Sequence, residues 1–346
     1  NTLPPPDSAP VVQALLELIA RDARVRVFPI GAVTRRCEGR ELAELSELAA
    51  AGCVAFSDDG SPVADSRLMR HALELAGSLG LPLSEHSDDP ALNAGGVMHE
   101  GRVSERLGLK GQPAAAEVTA IARNLALCEA TGARLHLAHV STARGVELIA
   151  EAKARRLAVT AEVTPSHLFL TEDAVFGPGP EPAFDTGARI NPPLRTEADR
   201  RALLRGLNDG VIDAIATDHA PHGAEDKLCE FDLAAPGISC FETALGTLLT
   251  LVGRGELDLH RALAALTTAP ARAFALAQRV PGLGTLAAGA PADIAVIEPG
   301  ARWTVDTGRF VSRGKNSPLH GTELRGQVRV VVYRGEVAFE RELAHA

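Results

Sequence analysis

Cysteine is scarce and unpatterned: five residues (Cys37, Cys53, Cys128, Cys229 and Cys240) are scattered along 346, an odd number with no C-x-x-C pair. That argues against a disulfide framework and against a thiolate metal site. The five read as reduced thiols, packed mostly as small apolar residues, in a cytoplasmic protein. Long hydrophobic runs are also lacking. No apolar stretch reaches the ~18 residues of a membrane span, so no membrane contact is expected. The pattern of a signal peptide is absent too. Positive charge is in deficit: 35 Lys and Arg against 44 Asp and Glu give a formal charge of −9. Such a chain has no basic footprint for nucleic acid, and an anionic ligand would need local cations, namely metals, Arg or helix N-termini. An initiating Met is missing as well. The opening Asn1-Thr2-Leu3-Pro4-Pro5-Pro6 is turn-like and introduces nothing, so it reads as the interior of a longer sequence.

What is present is an ordinary globular composition, 46% hydrophobic and 23% charged. Short β-prone runs at Val25–Ile30, Cys53–Phe56, Leu81–Ser84, Arg134–Ala138, Val159–Val163 and Ile212–Ala216 lack in/out alternation, as befits strands buried on both faces of a parallel sheet. Amphipathic helix patterns separate them. The first opens on Asp7, Ser8 and Pro10 as capping and first-turn residues. Others lie near Arg40–Ala50, Ser66–Ser78, Ala115–Ala130, Ala143–Arg155 and Glu197–Asn208. The alternation predicts an α/β fold. From about Gly282 the texture changes: Leu286–Ala290, Ala292–Ile297 and Gln327–Val332 are broken by Gly, Pro and Asp. This predicts a small β module at residues 281–346 after a main domain at 1–280.

The polar residues follow the strands. Ser57-Asp58-Asp59-Gly60, Glu85-His86, His139-Val140-Ser141-Thr142, Thr164-Pro165-Ser166-His167 and Thr217-Asp218-His219-Ala220-Pro221-His222 each close one run. In a (β/α) barrel all such ends meet on one face, the face that carries chemistry. Asp and neutral His are ligands for Zn²⁺ and similar ions. A single His at a strand end is more often a hydrogen-bonded structural residue, but the set as a whole predicts a metal site. Alternation along an extended chain allows only one of Asp58 and Asp59 to face inward, and sets His136 and His139 on opposite faces. His139, at the strand end, is the better candidate. His71, His260 and His345 read as solvated.

Six ordered segments then carry a resemblance over essentially the whole chain. Ala216-Thr217-Asp218-His219-Ala220-Pro221-His222, Asn191-Pro192-Pro193-Leu194-Arg195, Phe56-Ser57-Asp58-Asp59-Gly60, His139-Val140-Ser141-Thr142, Glu162-Val163-Thr164-Pro165 and Gly314-Lys315-Asn316-Ser317-Pro318 resemble those of class I dihydroorotases of the amidohydrolase superfamily. The resemblance implies a (β/α)8 TIM-type barrel with a small β module. It implies zinc-dependent, reversible hydrolysis of the cyclic amide of dihydroorotate to N-carbamoyl-aspartate, a step of pyrimidine biosynthesis, with two Zn²⁺ in the intact enzyme. Asp59 resembles the aspartate that bridges the metals, His86 and His139 the ligands of one metal, and Asp218 the last ligand and catalytic acid/base. Asn1, Asn191, His222 and the backbone at Pro236 and Gly237 resemble substrate contacts.

The family barrel opens with a His-x-His pair followed by a substrate-gripping Arg, and neither is in this sequence. One expectation is that the first strand and part of the second precede Asn1, leaving residues 1–346 impaired alone. The other is a degenerate, non-catalytic relative that binds aspartate transcarbamoylase as a scaffold. A hydantoinase or allantoinase, with the same machinery and another cyclic amide, is the nearer rival. The resemblance also allows a homo-oligomer or a complex with aspartate transcarbamoylase.

Overall fold

A computed structural model describes residues 2–179 and 183–341. Asn1 and His345 lie outside the described residues. Among those described, no helix is long and apolar enough to cross a membrane.

The strands are β1 (Leu83–His86), β2 (Met98–His99), β3 (Gly111–Gln112), β4 (Leu135–Ala138), β5 (Val159–Val163), β6 (Ala214–Ile215), β7 (Ile294–Thr304), β8 (Glu323–Tyr333) and β9 (Glu336–Glu340). One parallel sheet runs β1-β4-β5-β6. Two further chain segments continue it beyond β1 through single parallel bridges, Phe56 with Leu83 and Gly31 with Phe56. Six strand positions therefore stand side by side in chain order, as in a (β/α) barrel. Every residue of β1 and β4 is buried, so neither strand shows an in/out alternation, and the polar Ser84, Glu85, His86 and His136 are buried with the rest.

The expected strand at Val25–Ile30 survives only at its end. Val54 N donates to Pro29 O and Gly31 N to Ala55 O, both at 3.0 Å, whereas Val25 and Val27 are half exposed. Pro29 cannot donate to a ladder.

Helices Ser66–Ser78, Ala114–Thr131, Ala143–Ala154 and Glu197–Asp209 alternate with these strands. Their starts are fixed chemically. Asp65 accepts from Arg67 N and Leu68 N, Thr142 from Gly145 N, and Thr196 from Asp199 N in a reciprocal capping box. The helix Ala9–Asp22 is different: Ser8 makes no capping bond, and the Asp7 carboxylate accepts instead from Arg36 N. Between helices and sheet lies one core, with Leu48, Phe56, Leu73, Leu83, Ile121, Leu135, Leu137 and Ile149 all at most 1% exposed.

Two features frame the site. The parallel pair β2-β3, which periodicity did not predict, brings His99 beside Gln112. Strands β7, β8 and β9 form an antiparallel sheet packed on helix Ala244–Gly253, where Arg325 N donates to Thr250 Oγ1 at 2.8 Å. The segment Leu286–Ala290 is not a strand but turns, with Gly289 at φ +84°.

Candidate active site

The polar strand ends converge as the parallel order requires. Asp59 follows the strand position at Phe56, His86 closes β1 and His139 follows β4. His139 Nε2 lies 3.0 Å from Asp59 Oδ1 and 3.0 Å from His86 Nδ1. His86 Nδ1 is 3.4 Å from Asp59 Oδ1. Asp58 turns the other way, as alternation demands. Its carboxylate is buried and accepts from Val33 N at 2.7 Å, Thr34 N at 3.0 Å and the Thr34 hydroxyl.

Alternation fails at His139. His136 pairs with Ser84 in the register that pairs Ala138 with His86, so His136 shares the face of His86. His139 should then point away, but its φ of +33° breaks the extended geometry and swings the ring back toward His86. Both histidines thus serve the same side. His136 Nδ1 meets Thr160 Oγ1 at 2.8 Å, and its Nε2 lies 3.0 Å from Glu162 without hydrogen-bond alignment. Asp218 also departs from extended backbone, at φ +48°.

The three clustered groups hold a cation's place. Burial alone would lower the His139 ring, but its hydrogen bond to Asp59 and the charges of Asp59, Asp218 and Glu162 push it up to about 9. Burial raises Asp59, yet hydrogen bonds from His139 and His86, with their charges, hold it well below the usual carboxylate range. Three ligand atoms meet here at 3.0–3.4 Å. Donors ~2.0–2.1 Å from a tetrahedral zinc stand roughly 3.3 Å apart. Asp59, His86 and His139 are the group among the described residues whose ligand atoms lie within 4.8 Å of one another. They fit a metal with three protein ligands and an open position. Asp218 stands outside that group but close enough to feel it: burial raises its carboxyl, the His139 and His86 rings lower it, and Asp59 and Glu162 raise it.

The expected substrate contacts fall into two places. Asn191 Nδ2 is 3.3 Å from His86 Nε2, beside a pocket lined by His86, Ser87, Asn93, Gln112 and Arg195. His222, Pro236 and Gly237 meet in a second place, with His222 Nε2 3.0 Å from Pro236 O. Gly237 N already donates to Arg189 O at 2.8 Å. His167, to which no role was given, is buried between Thr164 Oγ1 at 2.8 Å and Pro192 O at 3.1 Å. Burial, with the His139 charge, drives it down to about 3.

Sequence reasoning missed Glu117, which reads as an ordinary charge in a helical pattern. Its buried carboxylate accepts from Ser141 N at 3.1 Å, Thr142 N at 2.9 Å and both hydroxyls. Helix Ala143–Ala154 can come so near because Gly145 has no Cβ, which would lie 2.9 Å from Thr142 Oγ1 and 3.1 Å from Glu117 Oε1. Arg195, buried, donates to Ser141 Oγ and His99 Nδ1 at 3.1 Å and to Gln112 O at 2.8 Å. One signal was present: Arg195 ends the Asn-Pro-Pro-Leu-Arg segment.

A (β/α) barrel with Asp and His at its strand ends defines a metal-dependent hydrolase of the amidohydrolase kind, and residues 110–339 match the amidohydrolase family. Residues 1–145 match the dihydro-orotase-like family. The chain is 51% identical over 340 residues to a dihydroorotase of Anaeromyxobacter sp. (strain K), covering 98% of this chain and 76% of that one. It is 47% identical over 341 residues to a dihydroorotase of Pelotomaculum thermopropionicum, covering 98% and 77%. Among solved structures, L-hydantoinase from Arthrobacter aurescens superposes with a TM-score of 0.85 at 24% identity, over 99% of this chain and 76% of that one. D-hydantoinase from Thermus sp. gives 0.74 at 29% identity, over 90% and 69%. The chain belongs to the dihydroorotase family of amidohydrolases. It spans about three quarters of the length of those dihydroorotases.

Proposed function

We propose that the protein is a dihydroorotase, interconverting dihydroorotate and N-carbamoyl-aspartate. The observation that carries the reading is the meeting of Asp59, His86 and His139 within hydrogen-bond reach, with the raised carboxyl of Asp218 beside them. We take residues 1–280 as the hydrolase unit and 281–346 as the β module. The ion is assigned as zinc, held by Asp59, His86 and His139, with Asp218 contributing to a second position in the intact centre. When bound, such an ion supplies Lewis acidity to the ring amide carbonyl.

The residues of the chain do the rest. Water adds to the amide carbonyl carbon, the ring C–N bond breaks, and the leaving nitrogen must gain a proton. Asp218 takes a proton from the attacking water and returns it to that nitrogen, as base and then acid. Its raised pKa suits both halves, since a group nearer the operating pH transfers protons in either direction more readily. Asn191 and His222 orient the ring and its carboxylate, with the Pro236-Gly237 backbone beside His222. Asn1 is assigned to the same set.

The test is Asp218→Asn, read by ring opening at alkaline pH, ring closure at lower pH, and metal content. Turnover should fall by about 10²–10⁴ while metal content holds. Retention of more than about a tenth of kcat would remove Asp218 from the acid/base role. A hydantoinase reading draws support from the 29% identical Thermus structure. It would prevail if wild type turned over hydantoin or dihydrouracil and not dihydroorotate.

A further inference from the structure

We propose that Asn316 is a positioning residue for the substrate side of the site. Its side-chain amide locks the loop that follows Asp218 to the loop of Pro236 and Gly237. The inference rests on the substrate roles given above to His222, Pro236 and Gly237.

Asn316 belongs to the connection between β7 and β8, far in sequence from either loop. It is buried, and its amide is saturated. Nδ2 donates to Ala220 O at 3.0 Å and to Gly237 O at 2.9 Å. Oδ1 accepts from His222 N at 2.9 Å and from Ser239 Oγ at 3.0 Å. Its own carbonyl accepts from Ser239 N at 2.8 Å. Two donors and two acceptor sites are all a primary amide has, and each faces a partner here, the Ser239 hydroxyl dividing its single proton between Asn316 Oδ1 and Gly314 O. Two of the bonds go to the Asp218–His222 loop and two to the Gly237 loop.

Without Asn316 the two loops keep the backbone tie from Ala220 N to Ile238 O at 3.0 Å, the bonds that the His219 ring accepts from Cys240 N at 3.0 Å and Phe241 N at 3.3 Å, and a contact from the His222 ring to Pro236 O; none of these reaches the backbone N–H of His222 or the carbonyls of Ala220 and Gly237. The neighbours of Asn316 support the same task. A Cβ on Gly314 would lie 2.6 Å from Pro221 Cβ and 2.7 Å from Pro221 Cα and His222 N, so only glycine lets this connection press that close. Ser239 Oγ also reaches Gly314 O at 2.8 Å. Lys315 Nζ folds the connection on itself through Ser312 O at 2.8 Å.

No other side chain fits the pattern. Aspartate has the same shape but no donor, and would face the carbonyls of Ala220 and Gly237 with a negative charge. Leucine fills the space and leaves Ala220 O, Gly237 O and His222 N without the partner Asn316 gives them. The backbone that carries the His222 ring is fixed through its N–H, one of the partners of Asn316. Asn316 therefore holds in place a residue that it does not touch through the ring.

The experiment is hydrogen–deuterium exchange on the protein with Asn316→Ala, Asn316→Leu or Asn316→Asp, followed by steady-state kinetics on dihydroorotate. Peptides covering residues 219–223 and 237–240 should exchange about tenfold faster in all three variants, from loss of buried hydrogen bonds. Peptides of β4 and β5 should be unchanged. KM should rise roughly tenfold, with a smaller change in kcat and unaltered metal content. Adding His222→Ala should cost less in the Asn316→Ala background than in wild type, because the two act as one unit. Unchanged exchange in the two loops overturns the proposal. So does wild-type behaviour of Asn316→Leu or Asn316→Asp, which would leave the side chain a space-filler, and so does faster exchange throughout β4 and β5, which would make its role global. Faster exchange in the two loops alone, in a protein that does not turn over dihydroorotate, keeps the clamp and sinks the proposed reaction.

Discussion

Removal of the Glu117 carboxylate tests how the site is held. Four donors converge on it, two of them the backbone N–H groups of Ser141 and Thr142, at the start of helix Ala143–Ala154. Glu117 is also the first of the charges that stabilise buried Arg195, whose guanidinium donates to the same Ser141 hydroxyl. Glu117→Ala therefore strips partners from two buried amides and leaves a buried cation without its principal counter-charge. Breaking a buried, hydrogen-bonded charge arrangement typically costs about 3–5 kcal/mol. At ~2 °C per kcal/mol or somewhat more for a chain of this size, Tm should drop by roughly 6–10 °C. Glu117→Gln keeps the shape, but its NH₂ must face an N–H or O–H donor, so about half the loss should remain. Scanning calorimetry and a urea midpoint at constant m would report both variants. Because Ser141 lies two residues beyond His139, the Glu117→Ala protein should also lose metal at lower chelator concentration. A Tm within about 2 °C of wild type for Glu117→Ala would refute the reasoning, since four buried bonds to an anion cannot be worth so little.

Three further outcomes follow from the geometry. His86→Ala and His139→Ala should each lower metal content and their effects should not add, because both serve one ion; additive losses would assign them to separate ions, and His71→Ala, on an exposed helical surface, is the silent control. Asn191→Ala should raise KM for dihydroorotate roughly tenfold to a hundredfold with metals retained, the cost of a hydrogen bond to a charged ligand; a fall in metal content would instead place Asn191 among the residues that support His86. Acid should destabilise the fold through two buried histidines, His99, which burial and then the Arg195 charge lower to about 4, and His167, lowered to about 3. The unfolded chain protonates first, so stability is full above about pH 6.5 and falls toward pH 4 and below with up to ~1.4 kcal/mol per pH unit from each. His99→Asn should flatten part of that slope, and an unchanged slope would mean that His99 titrates alike in both states.

The site was legible in sequence wherever chemistry and period coincide. Parallel strands deliver their C-terminal ends to one face, so one of Asp58 and Asp59, with His86, His139 and Asp218, could be read from positions after the strand-like runs, and the choice of Asp59 came from the family resemblance. Asp58 and Asp59 do face apart, with Asp58 on the backbone of Val33 and Thr34, although the chain turns at Asp59-Gly60, where Ser61 N donates to Asp58 O at 2.8 Å. The same parity failed for His136 and His139, because a φ of +33° is a single-residue event that period-two counting cannot see. The residues that hold the site were the least legible. Glu117 sits in a helix whose pattern explains it as one more solvated charge, and only the approach of a second helix across Gly145 turns it inward. The β2-β3 pair has two residues per strand, too few for any alternation, yet it supplies His99 and the Gln112 carbonyl to Arg195. Asn316 shows the limit most clearly. Its segment stood out as a motif, but an asparagine after Gly-Lys reads equally well as a turn residue. Its meaning lies in four bonds to partners 77 to 96 positions away. Ligands are written into the sequence by residue type, whereas their supports are written by distance in space. Substitutions at Glu117, Arg195 or Asn316 should accordingly shift affinity and stability, and those at Asp59, His139 or Asp218 the chemistry itself.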